Sequence, residues 1–371
     1  MLSAKKKKLL LEYHAMLHQS MKSGVVKKIR GTVKAAQNIG LESKELVVDD
    51  VFGVRHLRFL LNLVITKADI VIIRNALLVM LFCLPVLILL RLRGVRVIID
   101  VPTPISIAIK EWKGGRGIYF LFSKIKFLLV QVSYPLCFLP SNTVLEYSAE
   151  SPRYVLFCEE KVLLTSNTIL SSMYSPDITK KKKKHRRVTL LSVANLSFWH
   201  GYDRLLNGVH EYRKSYGNGN GIEVAVLIVG EGEEKEKLEF LTGKLGLNDV
   251  VKFLGYRDGD SLKEIYRVSD VAVASLGLHR KGLSVASEIK MREYAFNGLP
   301  IVYSSDDVDF CDTLPFVLKV DRSDEPIRIQ KVVEWYLDMP EDKHFNEIIT
   351  FARKELLPEN KLRKVLQFTM R

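Results

Sequence analysis

Along the first hundred residues, short apolar runs alternate with longer stretches whose apolar positions recur every three or four residues. "KKLLLEY" reads as a first strand, "SGVVKKIRGTVKAAQNIG" as a glycine-led helix that stops at Asn-Gly, and "KELVVDD" as the next strand. After the amphipathic "VRHLRFLLNLVITK" come the strand "DIVII", the apolar segment 76–90 and the strand "VRVIIDV" before "PTP". Strands that alternate with helices predict a parallel sheet.

The same rhythm restarts at "RVTLLSVA". A polar and aromatic loop, "NLSFWHGYD", leads into the helix "RLLNGVHEYRKSY", then the strand "IEVAVLIVG", the turn at Glu231-Gly232 and the helix "EEKEKLEFLTGKLG". "VVKFLG", "DVAVASL", "PIVYS" and "FVLKV" follow as strands, with helices at "LKEIYRVS" and 287–296 between them. The expected fold class is α/β, with two Rossmann-like parallel-sheet domains whose strand-end loops face a central cleft. Their expected spans are 1–176 and 188–340, joined by a basic linker at 177–187. A helical segment, 341–371, is expected to pack back on the first domain.

A chain of 371 residues, 47% apolar and 26% charged, has material for two cores and is not the composition of a disordered protein. Its charge is uneven: residues 1–187 carry 31 lysines and arginines against 13 acids, and residues 188–371 carry 25 against 29. A basic half suits anionic lipid, nucleic acid or a phosphorylated substrate. Segment 76–90, "ALLVMLFCLPVLILL", is interrupted by Pro85 and falls short of the roughly 20 residues needed to cross hydrocarbon. It reads as a buried crossover helix or as a helix lying in a membrane interface with Arg91 and Arg93 among headgroups. The mixed apolar and basic stretch 118–140 repeats that character, and the run "KKKKKHRR" reads as a solvated connection or a lipid-phosphate contact.

Cys83, Cys137, Cys158 and Cys311 are too scattered for a zinc site or a disulfide framework, so reduced thiols in a cytosolic protein are expected. The basic N-terminus lacks the long apolar core of a signal peptide.

In "SEIKMREYAFNGLPIV", Lys290 and Glu293 sit at i and i+3 and share a helical face. The cation can hold a diphosphate, with help from free amides at a helix start that Ser287 could cap. The acceptor-only carboxylate can take the two hydroxyl protons of a ribose. A surface ion pair of small energetic value, with Glu288 and Arg292 as another, is the competing account.

Residues 188–304 resemble the donor-binding domain of family 4 of the retaining glycosyltransferases, which have the two-domain GT-B fold. "KMREYAFNGLPIV" is the most specific segment, and "FWHGYDRLL", "LIVGEGEEKEKLE", "VKFLGY" and "YRVSDVAVASLGLHRKG" stand in the family's order. The first half is similar more loosely, through "SGVVKKIRGTVKAAQNIG", "ADIVIIR", "VRVIIDVPTP" and "VLLTSNTI". The match resembles members that build bacterial capsule, O-antigen or exopolysaccharide chains.

The resemblance implies that Lys290 contacts the donor diphosphate and Glu293 the ribose. It implies that Gly230 and Gly232 let the backbone approach the nucleotide, that Tyr256 and Arg257 lie by the base, and that Gly24 belongs to a glycine loop over the donor phosphate. His200 and Arg204 fall near the family's basic residues, but the usual close Arg/Lys pair is not evident, and Arg280 and Lys281 are candidates to compensate. A glutamate that many members carry eight positions before Glu293 is replaced by Val285. This leaves the sugar contact to His279 or to the backbone near Gly282.

The implied reaction is metal-independent front-face transfer with retention, in which fixed cations stabilise the departing diphosphate. Asp100, at a strand end, is the candidate carboxylate nucleophile for a double displacement or else a residue that orients a loop; Arg74 and Asn167 occupy comparable loop positions, where Arg74 could bind an acceptor phosphate or form a structural salt bridge. The expected partners are a nucleotide-sugar donor, a saccharide or lipid-diphosphate-linked acceptor, and an anionic membrane contacted peripherally from the cytoplasmic side. A transfer-inactive nucleotide-sugar-binding scaffold and, more remotely, a nucleic-acid-binding protein are the rival classes.

Overall fold

The computed structural model describes residues 8–17, 24–49, 54–74, 77–102, 135–149, 159–169, 186–216, 221–340 and 344–371. Cys158, the lysine run 180–184, most of segment 118–140 and the loop preceding Gly24 lie outside them. The chain divides into two compact units, Met1–Ser171 with Leu357–Arg371, and Ser172–Leu356.

The first unit is built on β1 (Leu10–Leu17), β2 (Glu42–Asp49), β3 (Ile70–Arg74), β4 (Arg96–Val101), β5 (Thr143–Glu146) and β6 (Val162–Leu164). Their order is β2-β1-β3-β4-β5-β6, and every pairing is parallel. One face is covered by α1 (Gly24–Asn38) and α10 (Pro358–Thr369), the other by α2 (Val54–Val64), α3 (Leu77–Leu92) and a helical turn at 135–138. Covering both faces buries successive strand residues alike, which is why β1, β3 and β4 read as near-continuous apolar runs.

Polar groups that β1 carries inside must then find partners. Glu12 meets His14 at 2.8 Å, the Thr66 hydroxyl at 2.7 Å and Lys44 at 2.9 Å. Burial opposes its charge, but these contacts outweigh burial and hold the carboxyl at about 2.

The apolar segment 76–90 forms α3, with Cys83, Leu87 and Leu90 against the sheet. Among the described residues no helix is long and apolar enough to cross a membrane. Burial pushes the Cys83 thiol up to about 12 and that of Cys137 to about 11. Cys311 is exposed.

The second unit carries β7 (Arg187–Val193), β8 (Glu223–Val229), β9 (Val251–Phe253), β10 (Val271–Val273), β11 (Ile301–Tyr303) and β12 (Val317–Lys319) in the order β12-β11-β10-β7-β8-β9, again all parallel. Its helices are α4 (Tyr202–Tyr216), α5 (Lys235–Lys244), α6 (Gly259–Val268), α7 (Ile289–Phe296), α8 (Ile329–Asp338) and α9 (His344–Glu355). The stretch 341–371 is shared between the units. α9 packs on α7 and places Phe351 between Phe310 and Phe316, at 5.5 and 5.3 Å between ring centroids. α10 packs on α1, where Asn38 donates to Glu359 at 2.5 Å, and reaches β5 through a 2.8 Å contact between Thr143 and Thr369.

Candidate functional site

The order of the second sheet reverses direction between β7 and β10, and in open parallel sheets the loops at such a switch point hold the ligand. Four loops after strands β7 to β10 are tied edge to edge there. Leu196 donates to the Glu231 carbonyl at 2.7 Å, Gly230 to Gly255 at 2.8 Å, and Leu276 to His200 at 2.8 Å. Gly201, at φ +65°, makes this possible, because a Cβ there would stand 2.7 Å from the Gly277 nitrogen.

Gly230 and Gly232 serve the same end. At φ +127° and +154°, a Cβ on either would fall 1.8 Å from the Ala194 carbonyl oxygen or 2.2 Å from that of Leu196. The close approach these glycines permit includes that of the loop after β7.

Lys290 lies in the first turn of α7, largely buried. Its ammonium is 3.1 Å from a Glu288 carboxylate oxygen and 3.3 Å from the Tyr202 hydroxyl, and stands over the Tyr202 ring. Glu288, not Ser287, is the residue before the helix, and its side chain does not cap the helix. It accepts instead from the Ser275 hydroxyl at 2.5 Å and the Ser275 amide at 3.3 Å. Burial disfavours the lysine's charge, but Glu288 and Tyr202 outweigh burial and hold the ammonium above the usual lysine range. The switch point thus carries a fixed, desolvated cation.

Glu293 follows one turn later and is half-buried. It faces Tyr266 of α6, whose hydroxyl is raised well above its ordinary range by burial and by this carboxylate.

His200 stacks on Tyr202 at 5.6 Å, and its Nδ1 accepts from the Ser197 amide at 3.1 Å, which leaves Nε2 as the protonated nitrogen. Burial, then the neighbouring Lys290 charge, lowers its pKa to about 2. This histidine supplies a neutral N–H donor and no positive charge. The unfolded chain takes up a proton near pH 6.5 and the folded one does not, so stability is lost as pH falls from about 6.5 toward the folded value. By about pH 4.5 the loss is expected to reach roughly 1–3 kcal/mol. Denaturant titrations of the wild type and of His200→Gln at both pH values measure it as the part that vanishes in the variant.

The two arginines expected to help are structural. Arg204 is fully buried and donates to the carbonyls of Glu325 at 2.7 Å, Asp321 at 3.0 Å and Leu276. Arg280 lies over the Phe198 ring, forks onto Asp203 at 2.8 and 2.9 Å and reaches Asp324 at 2.7 Å. In the ligand-free chain both guanidinium groups are engaged by protein partners. His279 contacts Asp324 at 3.2 Å, and the Lys281 ammonium sits 3.4 Å over the Trp199 ring. Gly282 ends that helical turn in the left-handed region at φ +79°.

Val285 pairs with Asp306 as a short parallel bridge beyond β11. Tyr256 and Arg257 are exposed on the loop after β9, the hydroxyl of Tyr256 bonding Asp258 at 3.2 Å. Arg292 carries no pattern signal beyond an i,i+4 relation to Glu288. It turns out to be fully buried, forked onto Asp307 at 2.5 Å with a further bond of 2.7 Å to Asp309.

In the first unit, Gly24 opens α1. Asp100, at the end of β4, is fully buried and accepts from Tyr13, from Lys28 at 3.1 Å and from Arg74 at 3.2 Å. Burial alone would raise its pKa, but the Lys28 and Arg74 charges with the Tyr13 and Tyr147 hydroxyls hold it at about 2. The carboxylate joins β1, α1, β3 and β4, and its lone pairs are engaged by those donors. This corrects the expectation that it could act as a nucleophile, and it makes Arg74 an ion-pair partner. Asn167 follows β6 in the loop 165–169.

The family model described as "Glycosyl transferases group 1" matches residues 175–304. An uncharacterized glycosyltransferase of Methanocaldococcus jannaschii, MJ1607, is 30% identical over 84 residues, which is 23% of this chain and 20% of that protein. The chain therefore spans about a fifth of the length of the curated relative it matches. Sucrose-phosphate synthase from Thermosynechococcus elongatus superposes with a TM-score of 0.64 at 11% identity, covering 98% of both chains. The apo lipopolysaccharide outer core galactosyltransferase WaaB gives 0.57 at 12% identity, covering 96% of this chain and 99% of that one. The fold is that of the GT-B glycosyltransferases, two six-stranded parallel sheets with helices. The family match extends over about a third of the chain, and the solved structures show the fold alone.

Proposed function

We propose that this protein is a retaining glycosyltransferase. In this reading it moves a sugar from a nucleotide-diphosphate donor to a saccharide acceptor carried on a lipid, in the assembly of a cell-surface polysaccharide at the cytoplasmic side of a membrane. The observation that carries it is the buried, protonated Lys290 at the β7/β10 switch point.

As the bond to the anomeric carbon breaks, negative charge gathers on the leaving diphosphate. A cation already stripped of water stabilises that charge more than the ground state and needs no reorganisation. In the ligand-free chain Glu288 balances the lysine, so an incoming diphosphate takes over a counter-charge that is already in place. The amides at the start of α7 add partial positive charge, and the His200 Nε2–H supplies a neutral donor. No metal is required in this account, since lysine and amides bear the leaving group's charge. Retention follows from attack on the face that the diphosphate leaves, with the departing oxygen taking the acceptor's proton. Asp100, enclosed by its own partners, takes no part.

Glu293 binds the donor's ribose through its carboxylate. Mass spectrometry of products from a panel of nucleotide sugars and lipid-linked saccharides tests the whole reading. Glu293→Gln is expected to raise the donor KM by roughly 10- to 100-fold, the value of a charged hydrogen bond. Donor binding with no product from any acceptor would instead assign a transfer-inactive nucleotide-sugar-binding protein.

A further inference from the structure

The helices on the two faces of the first sheet differ in what they show to solvent. Those around α1 and α10 shield their apolar residues, whereas the layer of α2, α3 and the turn at 135–138 does not. α2 turns Phe59 and Leu63 to the sheet and exposes Val54, Leu57 and Leu61, with Ile65 just beyond its end. The spacing of three, four and four residues makes one outward stripe, and its ends are 78% and 68% exposed. α3, packed beside α2, exposes Phe82, Ile88, Leu89 and Leu92, the first 64% and the last 81% exposed. Leu136 and Leu139 extend the same layer. Among the described residues of this unit, only Leu9, Leu164 and Met370 are large exposed apolar side chains outside it.

Scattered surface leucines need no explanation, but parallel stripes on neighbouring helices do. Charge narrows the choice of occupant. Of the lysines and arginines in residues 51–99, Arg74 pairs with Asp100 and Arg96 opens β4, while Arg58, Lys67, Arg91 and Arg93 are exposed. Arg58 and Lys67 are exposed beside the α2 stripe. Arg91 and Arg93, exposed at the end of α3, bond the Asn142 side chain and the carbonyls of Val64 and Thr66, none of which cancels their charge. A surface of apolar side chains rimmed by cations complements a bilayer of anionic lipid, with hydrocarbon beneath a layer of phosphates.

We infer that the outer face of α2 and α3 docks on an anionic lipid bilayer, with Val54, Leu57, Leu61 and Phe82 entering the acyl boundary and Arg58, Lys67, Arg91 and Arg93 at the phosphates. The surface is independent of the transfer chemistry, so a chain that binds lipid and moves no sugar leaves this inference standing.

Flotation of the full chain with extruded vesicles tests it. Binding to mixed phosphatidylcholine and phosphatidylglycerol vesicles is expected to exceed binding to phosphatidylcholine alone by about tenfold or more, and to weaken with salt. Leu61→Asp with Phe82→Asp is expected to reduce binding by about tenfold or more at an unchanged melting temperature. Arg58→Gln, which leaves the apolar stripe intact, should weaken binding to the anionic vesicles only. Three outcomes overturn the inference: no vesicle binding by the wild type; binding that survives the double substitution, as it would if the lysine run 180–184 carried it; or wild-type self-association without lipid that the double substitution abolishes, which would assign the face to a second copy.

Discussion

Lys290→Ala is expected to lower kcat/KM for sugar transfer by about 100- to 1000-fold, the range seen when one preorganised donor to a developing oxyanion is removed. The ammonium is held buried at the start of α7 with Glu288 already in place, while the neighbouring His200 is neutral. Because the charge on the leaving diphosphate grows toward the transition state, most of the loss should fall on kcat, with a smaller rise in the donor KM. Glu288 keeps its two bonds from Ser275 in the variant, so the local fold retains an anchor. Donor-saturation kinetics, with circular dichroism as the control for folding, checks this. A change below about threefold would remove the lysine from the diphosphate and, with it, the basis of the mechanism.

Arg292→Leu is expected to destabilise the second unit by about 3–5 kcal/mol, since it strands two carboxylates that sit almost wholly out of water. The guanidinium also donates to the Glu288 carbonyl, so it pins the start of α7 to the segment that follows β11. For a unit of this size the loss corresponds to a fall of roughly 6–20 °C in melting temperature. Asp307→Asn with Asp309→Asn in the leucine background is expected to recover part of it, because neutral amides cost less to bury unpaired than carboxylates do. Calorimetry of the three chains separates the two effects. A fall of under about 1 kcal/mol would mean that water reaches the pair.

β1 to β4 and the six strands of the second sheet were legible as short apolar runs between helical periods, whereas the brief β5 and β6 did not stand out. That Lys290 and Glu293 share one helix was legible for a similar reason, since that relation is local. The partners of the arginines were not legible, because composition does not show which acid or carbonyl a guanidinium meets. Arg204 finds its carbonyl partners 72 to 121 positions further along the chain. Arg280 finds Asp203 at a separation of 77. The glycines of the loop after β8 were legible as points of close approach, but that the neighbouring loop is one of the things approaching them was not. Asp100 looked like a free carboxylate at a strand end because Tyr13 and Lys28, 87 and 72 positions away, leave no trace in the local pattern.

The return of α10 to α1 has a consequence for how the molecule comes into being. All six strands of the first sheet leave the ribosome before any strand of the second, yet Leu362 and Val365, which help close that sheet's α1 face, are made only after the whole second unit. During synthesis the first unit must wait, incompletely sealed, while its neighbour is built. A break anywhere between residues 171 and 357 separates one compact body from a piece of itself, so the two halves of this polypeptide are not interchangeable modules that can be cut apart at a single point.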